Sequence, residues 1–293
     1  MPVEGRPSAA GDGRALAAEG SASEPWIVSA DAARELIANG AIVLDAREPH
    51  LKAARRLPGA VTVRWEAFSQ TLAPNQGLLL SDDAAMTRRL QALGLSARRP
   101  VVVVADPVRG WGEDGRIVWM LRTLGHPRAV LIDGGIRALG RGGFPQISKP
   151  AAPGDFVVHR DPRWLADREQ VRAELGSPAA VFVDVREPRE FAGATPYGES
   201  RGGHLPGARP LYYKDLLDGD GRLLPQAQLV RLLAAQGIDD GHEVIAYCTG
   251  GVRAAWFTSV LNDLGMSVRN YAGSMWEWSA QPAASYPLIS AAE

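Results

Sequence analysis

The chain contains one internal repeat, and this duplication restricts its fold more than any other feature of the sequence. The segment IVLDAREP at 42–49 recurs as VFVDVREP at 181–188, so that Asp45 and Asp184 stand 139 residues apart. LPGA recurs further along each half, and three more segments match in the same order. Five matches in one order indicate two copies of a single domain rather than two unrelated domains.

Two domains also suit the length of 293 residues, because single hydrophobic cores seldom grow beyond about this size. We expect the first domain at 26–147, a linker at 148–155 and the second domain at 156–293. The linker, SKPAAPGD, is rich in proline and small residues. Residues 1–25 are rich in glycine, alanine and small polar residues, and we expect them to form a disordered tail.

Short apolar runs alternate with stretches of helical periodicity in both copies. The first copy contains AIVLDA, PVVVVA and AVLID, and the second contains AVFVDV, EVIAY and VRNYA. Continuous apolar runs of this length are typical of strands buried on both faces of a parallel sheet. The sequence therefore predicts an α/β fold with two tandem domains, each a parallel sheet flanked by helices.

The charge and cysteine content exclude several classes of protein. Thirty-two basic residues against 33 acidic ones create no overall field that would attract nucleic acid or anionic lipid. No uninterrupted apolar run is long enough for a membrane span or for the core of a signal peptide. The single cysteine excludes an intramolecular disulfide and fits a reducing compartment. We expect a cytoplasmic protein without a nucleic-acid or membrane partner.

The two copies differ at the end of one predicted strand. In the second copy, the apolar run EVIAY is followed directly by Cys248. The matching position of the first copy is Asp106. Ligands of α/β proteins bind beyond the carboxyl ends of the strands, and Gly250 and Gly251 allow the next backbone N–H groups to turn toward the sulfur. These amides, the following helix and Arg253 favour a nucleophilic thiolate. The alternative is an inert buried thiol at the end of a strand.

Several motifs carry a family resemblance. The segments VDVREPREF, GHLPGA, YCTGGVRAAW and YAGSMWEW of the second copy, with LDAREP and RIVWMLRTLGH of the first, resemble tandem-domain rhodaneses. These are sulfurtransferases whose first domain is catalytically silent. The resemblance implies that Cys248 becomes a persulfide, that Arg186 binds an anion near the sulfur, and that Asp184 supports the site. It implies no metal and no organic cofactor.

The loop after the cysteine departs from the tandem members of that family. Thiosulfate-using members have two basic residues at the positions that Thr249 and Gly250 occupy here, and mercaptopyruvate-using members have Gly and Ser. The spacing to Arg253 instead resembles the C-x-x-G-x-R loops of many single-domain rhodaneses. Only four residues, including Gly251 and Val252, separate the cysteine from the arginine, one fewer than in cysteine-dependent phosphatases. The shorter loop disfavours a phosphatase.

The predicted function is sulfur transfer by double displacement. Cys248 takes sulfane sulfur from thiosulfate, held mainly by Arg186 with help from residues 249–253, and passes it to cyanide, a thiol or a protein acceptor. Arg201, within a segment where the second copy is longer, is either a surface charge or a ligand for a substrate carboxylate. The alternative donor is 3-mercaptopyruvate. An alternative of another class is a persulfide carrier or sensor without turnover.

Overall fold

The computed structural model describes residues 24–239 and 241–290, so nearly all of the predicted tail lies outside the described residues. The strands of the first domain are β1 (Ile27–Val28), β2 (Ile42–Asp45), β3 (Val61–Thr62), β4 (Val101–Val104) and β5 (Ala129–Ile132). Its helices are α1 (Ala30–Ala38), α2 (Pro49–Ala54), α3 (Asp83–Ala92), α4 (Glu113–Thr123) and α5 (Gly135–Leu139). All strands pair in parallel, in the order β1-β5-β4-β2-β3.

The second domain repeats this plan. Its strands are β6 (Leu165–Ala166), β7 (Ala180–Asp184), β8 (Arg209–Pro210), β9 (Glu243–Tyr247) and β10 (Val268–Tyr271). Its helices are α6 (Arg168–Glu174), α7 (Pro188–Phe191), α8 (Gln226–Ala235), α9 (Val252–Asp263) and α10 (Ser274–Ser279). The strand order β6-β10-β9-β7-β8 is that of the first sheet, and every pairing is parallel. The predicted tandem α/β fold is confirmed.

The central strands are buried as their apolar sequences predict. Every residue of β2, β4 and β5 is buried, and so are the last four residues of β9. Helices therefore cover both faces of each sheet. The helices α3 and α8 begin after Asp82 and Pro225, and each is followed by a glycine with a positive φ, Gly94 and Gly237, which stops the helix.

The two domains meet along α4 and α9, the helices that follow the matching strands β4 and β9. All of α4 is buried, as are residues 253–261 of α9. The approach is close because Gly115 has no side chain: a Cβ there would lie 2.3 Å from the Cα of Trp256. One hydrophobic core consequently runs through both domains and includes Trp119 and Trp256.

The segment after the predicted linker, up to Asp161, still packs on the first domain. The amide of Phe156 donates to the carbonyl of Leu95, and the amide of Asp161 donates to that of Thr123. In the described parts of the chain, no helix is both long enough and apolar enough to cross a bilayer.

Candidate active site

A cavity of about 200 Å³ opens between the two domains at Cys248, and we call it the cleft. The first domain contributes Glu48, Trp65, Glu66, Trp111 and Glu113 to its lining. The second domain contributes Tyr197, Cys248, Thr249, Gly250, Val252, Arg253 and Trp276. The carboxyl end of β9 therefore faces a pocket that both domains build, as expected for a ligand site in an α/β sheet.

The loop after β9 bends around the sulfur of Cys248. The amide of Gly251 donates to Sγ over 3.1 Å. The loop is fixed from below, because the amide of Cys248 donates to Oγ of Ser274 over 3.1 Å and the carbonyl of Thr249 accepts from the amide of Trp276 over 2.9 Å. A sulfur held in this way has a backbone donor that stabilises negative charge on it.

Both glycines of the loop are required, for different reasons. Gly251 has φ +76°, in the left-handed region, and a Cβ there would lie 2.5 Å from the carbonyl oxygen of Ala272. A Cβ on Gly250 would lie 2.1 Å from the ring of Trp276. The sequence indicated backbone freedom at both positions, but the restriction at Gly250 is the indole ring that covers the loop.

Arg253 does not offer a free positive charge to the cleft. Its guanidinium forms a bidentate ion pair with Glu190, with distances of 2.6 and 2.8 Å, and the carboxylate of Glu190 is fully buried. Burial alone would raise the pKa of Glu190, but hydrogen bonds from Arg253 hold it below its ordinary value. The pair is therefore a neutral unit within the wall of the site.

Thr249 belongs to the same network. Its hydroxyl accepts from Arg253 over 2.6 Å and donates to Glu190 over 2.8 Å, and the carboxylate of Glu199 lies 3.3 Å from it. The hydroxyl is thus already satisfied by protein groups. It orders the loop at the position immediately after the sulfur.

The structure does not bring Arg186 to the cleft. Its side chain is 0% exposed and binds Asp184 in a bidentate pair, with distances of 2.9 and 2.6 Å, and it also donates to the carbonyl of Gly203. The first domain contains the same pair, Asp45 with Arg47, where there is no nucleophile. These contacts indicate a structural role that both domains share, and the anion-binding role of Arg186 stays a prediction.

Arg201 also lies away from the cleft. Its guanidinium donates to the carbonyls of Ser279, Gln281 and Tyr286, over 2.9 to 3.1 Å. These carbonyls follow the end of α10, so Arg201 fastens the C-terminal segment onto the second domain. Arg201 is half-buried, and its roles as a surface charge or as a ligand for a substrate carboxylate stay predictions.

The first domain places a buried cation behind the catalytic loop. Arg116 of α4 is 1% exposed, and it donates to the carbonyls of Gly251 over 3.1 Å and Gly77 over 2.5 Å. Between residues 24 and 290, apart from 240, no carboxylate forms an ion pair with it. Burial lowers its pKa to about 10, and the negative charge of Cys248 opposes that shift.

Glu113 is an incompletely satisfied carboxylate in the cleft. It is 2% exposed, its Oε2 accepts from the amide of Trp111 over 3.0 Å, and its Oε1 has no partner among the described residues. Burial raises its pKa to about 7, with smaller contributions from the charges of Asp114 and Glu48. The cleft therefore contains a desolvated acid that the sequence did not single out.

Glu190 was also missed, although the repeat contains a signal for it. It stands six residues after Asp184, and the matching position of the first copy, six residues after Asp45, is the buried Leu51. When one copy has a carboxylate at a position where the other copy has a buried apolar residue, that carboxylate is expected to be buried and to need a charged partner. Arg116 had a similar signal, because it matches Arg253 in the aligned segments RIVW and RAAW.

Comparisons with known proteins show the family of the chain. A family model described as the Rhodanese-like domain matches residues 29–141 and again 167–281. A probable 3-mercaptopyruvate sulfurtransferase of Pseudomonas aeruginosa is 34% identical over 211 residues, which cover 69% of this chain and 72% of that protein. A thiosulfate sulfurtransferase of the same organism is 30% identical over 267 residues, 87% and 94% of the two chains. The crystal structure of Tum1 from Saccharomyces cerevisiae superimposes with a TM-score of 0.76 at 22% identity, over 91% of this chain and 98% of Tum1.

Proposed function

The chain belongs to the rhodanese family and is an enzyme of the sulfurtransferase class, and on this premise we propose that it transfers sulfane sulfur through a persulfide on Cys248. The observation that carries the proposal is the sulfur at the end of β9, in the cleft, with the amide of Gly251 3.1 Å away. Cys248 is 1% exposed, but it lines the cleft through which a small donor would reach the sulfur, and the loop favours its anionic form.

In the first step the Cys248 thiolate attacks the transferable sulfur of the donor. With 3-mercaptopyruvate, the carbon–sulfur bond breaks and its electron pair leaves on the enolate of pyruvate, which then takes up a proton. With thiosulfate, the sulfur–sulfur bond of the donor breaks and its electron pair leaves on sulfite, so that the enzyme gains one sulfur atom. The Gly251 amide, the N-terminus of α9 and the buried charge of Arg116 all favour negative charge at the persulfide.

In the second step an external acceptor removes the outer sulfur. The chain has no second cysteine, so the persulfide cannot be resolved within it. Cyanide, a small thiol or a protein thiol attacks the outer sulfur, and the electron pair of the broken bond returns to Cys248. A reducing compartment such as the cytoplasm would supply thiols and would keep the enzyme thiol free.

The choice of donor depends on charge. The preference for thiosulfate rested on Arg186, which is paired with Asp184 away from the cleft, and Arg253 is neutralised by Glu190. A dianion therefore gains little from the lining, whereas the single carboxylate of 3-mercaptopyruvate is repelled less by the cleft glutamates. Both donors named from the sequence therefore stay candidates, and we expect 3-mercaptopyruvate, the alternative donor, to have a kcat/KM at least equal to that of thiosulfate.

Steady-state kinetics with each donor and cyanide test this proposal. Double displacement predicts parallel lines when the reciprocal rate is plotted against reciprocal donor concentration at several cyanide concentrations. A carrier or sensor would gain one sulfur per chain but would show no multiple turnover with any acceptor. Intersecting lines would contradict the covalent route, and a thiosulfate kcat/KM far above that of 3-mercaptopyruvate would contradict the charge argument.

A further inference from the structure

Aromatic rings form much of the wall of the cleft. Trp65, Trp111, Tyr197 and Trp276 all line it, and Trp111 packs edge to face with Tyr197 at 5.6 Å between ring centroids. The guanidinium of Arg253 lies 5.5 Å from the ring centroid of Trp111 and 5.6 Å from that of Tyr197. The ammonium of Lys214 lies 5.9 Å from the centroid of Trp111, and the guanidinium of Arg116 lies 5.7 Å from that of Trp65. These rings therefore already face cations of the protein, and aromatic faces attract cations in general.

The carboxylates that line the cleft outnumber the cations that line it: Glu48, Glu66 and Glu113 against Arg253. Glu66 binds Arg64 over 2.5 Å, and Arg253 binds Glu190, so these charges cancel in pairs. Glu48 and Glu113 have no cationic partner within ion-pair distance in the described chain. The nearby ammonium of Lys214 donates to the carbonyl of Val108 and is not part of the lining.

Glu113 indicates that a ligand completes this arrangement. Its carboxylate is almost fully buried, lines the cleft and leaves Oε1 without a partner among the residues described. A buried carboxylate oxygen without a donor is costly, and the cost is removed when a ligand N–H or ammonium reaches it. Aromatic faces and an unpaired carboxylate in one pocket are complementary to an organic cation.

We infer that the sulfur acceptor of this enzyme is a small thiol that carries an ammonium group, which binds between the aromatic walls and Glu113 while its sulfur faces Cys248. The inference rests on the proposed persulfide and adds the chemical class of its acceptor. The cleft of about 200 Å³ suits a molecule of this size. An anionic thiol of equal size would meet Glu48 and Glu113 and would be repelled.

The transfer balances without any further reactant. The thiolate of the acceptor attacks the outer sulfur of the Cys248 persulfide, and a new sulfur–sulfur bond forms on the acceptor. The bond between the two enzyme sulfurs breaks, and its electron pair returns to Cys248 as the thiolate. The product is the persulfide of the aminothiol, and no external oxidant or reductant takes part.

Three thiols of nearly equal size separate charge from shape: cysteamine, 2-mercaptoethanol and mercaptoacetate. We compare the ratio of kcat/KM for cysteamine to that for 2-mercaptoethanol in the wild type and in Glu113→Gln, since intrinsic thiol reactivity cancels in that comparison. The ratio should fall about tenfold in Glu113→Gln, the size of one desolvated cation contact. It should not change in the control Glu35→Gln, which removes an exposed carboxylate of α1 outside the cleft. Mercaptoacetate should be the poorest wild-type acceptor.

A binding measurement is independent of turnover. Choline and 3,3-dimethylbutan-1-ol have the same shape, but only choline is charged, and the cleft tryptophans report binding by fluorescence. Choline should bind Cys248→Ser at least about tenfold more tightly than the alcohol, and Glu48→Gln and Glu113→Gln should each reduce this preference. Equal affinity of Cys248→Ser for choline and for the alcohol would overturn the inference. So would a ratio of kcat/KM for cysteamine to that for 2-mercaptoethanol that is the same in Glu113→Gln as in the wild type. Choline selectivity without any sulfur transfer, even to cyanide, would instead contradict the proposed function.

Discussion

The two domains place different side chains at the ends of matching strands. At the end of β4, the carboxylate of Asp106 accepts from the amides of Val108 and Arg109, over 3.2 and 3.0 Å, and pairs with the Arg109 side chain. At the end of β9, the sulfur of Cys248 accepts from the amide of Gly251. Burial would raise the pKa of Asp106, but the hydrogen bonds and charge of Arg109 lower it. The first loop thus contains a permanent anion, and the second contains the thiol on which we propose that the persulfide forms.

The first domain is nevertheless part of the active site. The sequence predicted that it serves as a scaffold, and it has no nucleophile, but it provides Arg116 behind the loop and Trp111 and Glu113 in the cleft. The packing of α4 against α9 brings these residues to the second domain. Duplication has therefore left one domain with the nucleophile and the other with part of its surroundings.

The largest difference between the domains should appear at the two strand ends. Cys248→Ser replaces the nucleophile with a far weaker one of similar size, so kcat/KM should fall by at least about a thousandfold. Asp106→Ala should keep kcat/KM within a few fold, because its carboxylate only organises its own loop. Steady-state assays of both variants, with circular dichroism to verify folding, make the comparison. A loss at Asp106 as large as that at Cys248 would contradict the division of roles.

The next prediction concerns Glu190, the buried carboxylate that takes the place of Leu51 of the first domain. Glu190→Leu introduces the type of side chain that Leu51 provides in the first copy, and it leaves Arg253 buried without its partner. Breaking a buried ion pair from one side should reduce the free energy of unfolding by about 3–5 kcal/mol. Urea unfolding measures this loss. Leu51→Ala, which creates a cavity without an unpaired charge, is the control for damage to packing.

A smaller effect should follow removal of the buried cation of the first domain. Arg116→Met removes the positive charge behind Gly251, so kcat/KM should fall about tenfold or more. Arg122→Met is a matched control, because Arg122 is also on α4 and also donates to backbone carbonyls, those of Ala129 and Pro127. Both variants should lose stability in thermal unfolding. If kcat/KM fell equally in both, Arg116 would have only a structural role.

The last predicted effect concerns the pH dependence of stability and leaves the catalytic cysteine unchanged. Folding raises the pKa of Glu113 from 4.5 to about 7. Between these two pKa values the folded state binds a proton that the unfolded state has lost. The free energy of unfolding therefore decreases as the pH rises from about 4.5 to 7. The charged neighbours are Asp114, Glu48 and Lys214. The total change is of the order of 3 kcal/mol between about pH 4.5 and 7. Glu113→Gln should remove this contribution and leave that of Asp114, whose pKa burial also raises to about 7. Urea unfolding at pH 5 and pH 8 would detect the smaller pH dependence of the variant; an identical pH dependence in wild type and variant would contradict the assignment.

The repeat made the fold predictable, because each apolar run had a counterpart 139 to 148 residues away and both sheets follow from the same pattern. The loop at Cys248 was also predictable, since it is contiguous in sequence. The partners of that loop were not. Glu190 and Arg116 reach it across 63 and 135 residues, and only packing brings them together. Arg186 was assigned to the anion site because of the family resemblance, but its side chain pairs with Asp184, two residues away.

The most direct test of the account is the intact mass of the protein after exposure to a donor. Wild type treated with thiosulfate or 3-mercaptopyruvate should gain one sulfur atom, Asp106→Ala should gain the same, and Cys248→Ser should gain none. Addition of cysteamine should return the first two to their original mass as the acceptor leaves with the sulfur. Turnover by a wild-type enzyme that never carries the extra sulfur, even when donor is present without acceptor, would contradict the persulfide on Cys248.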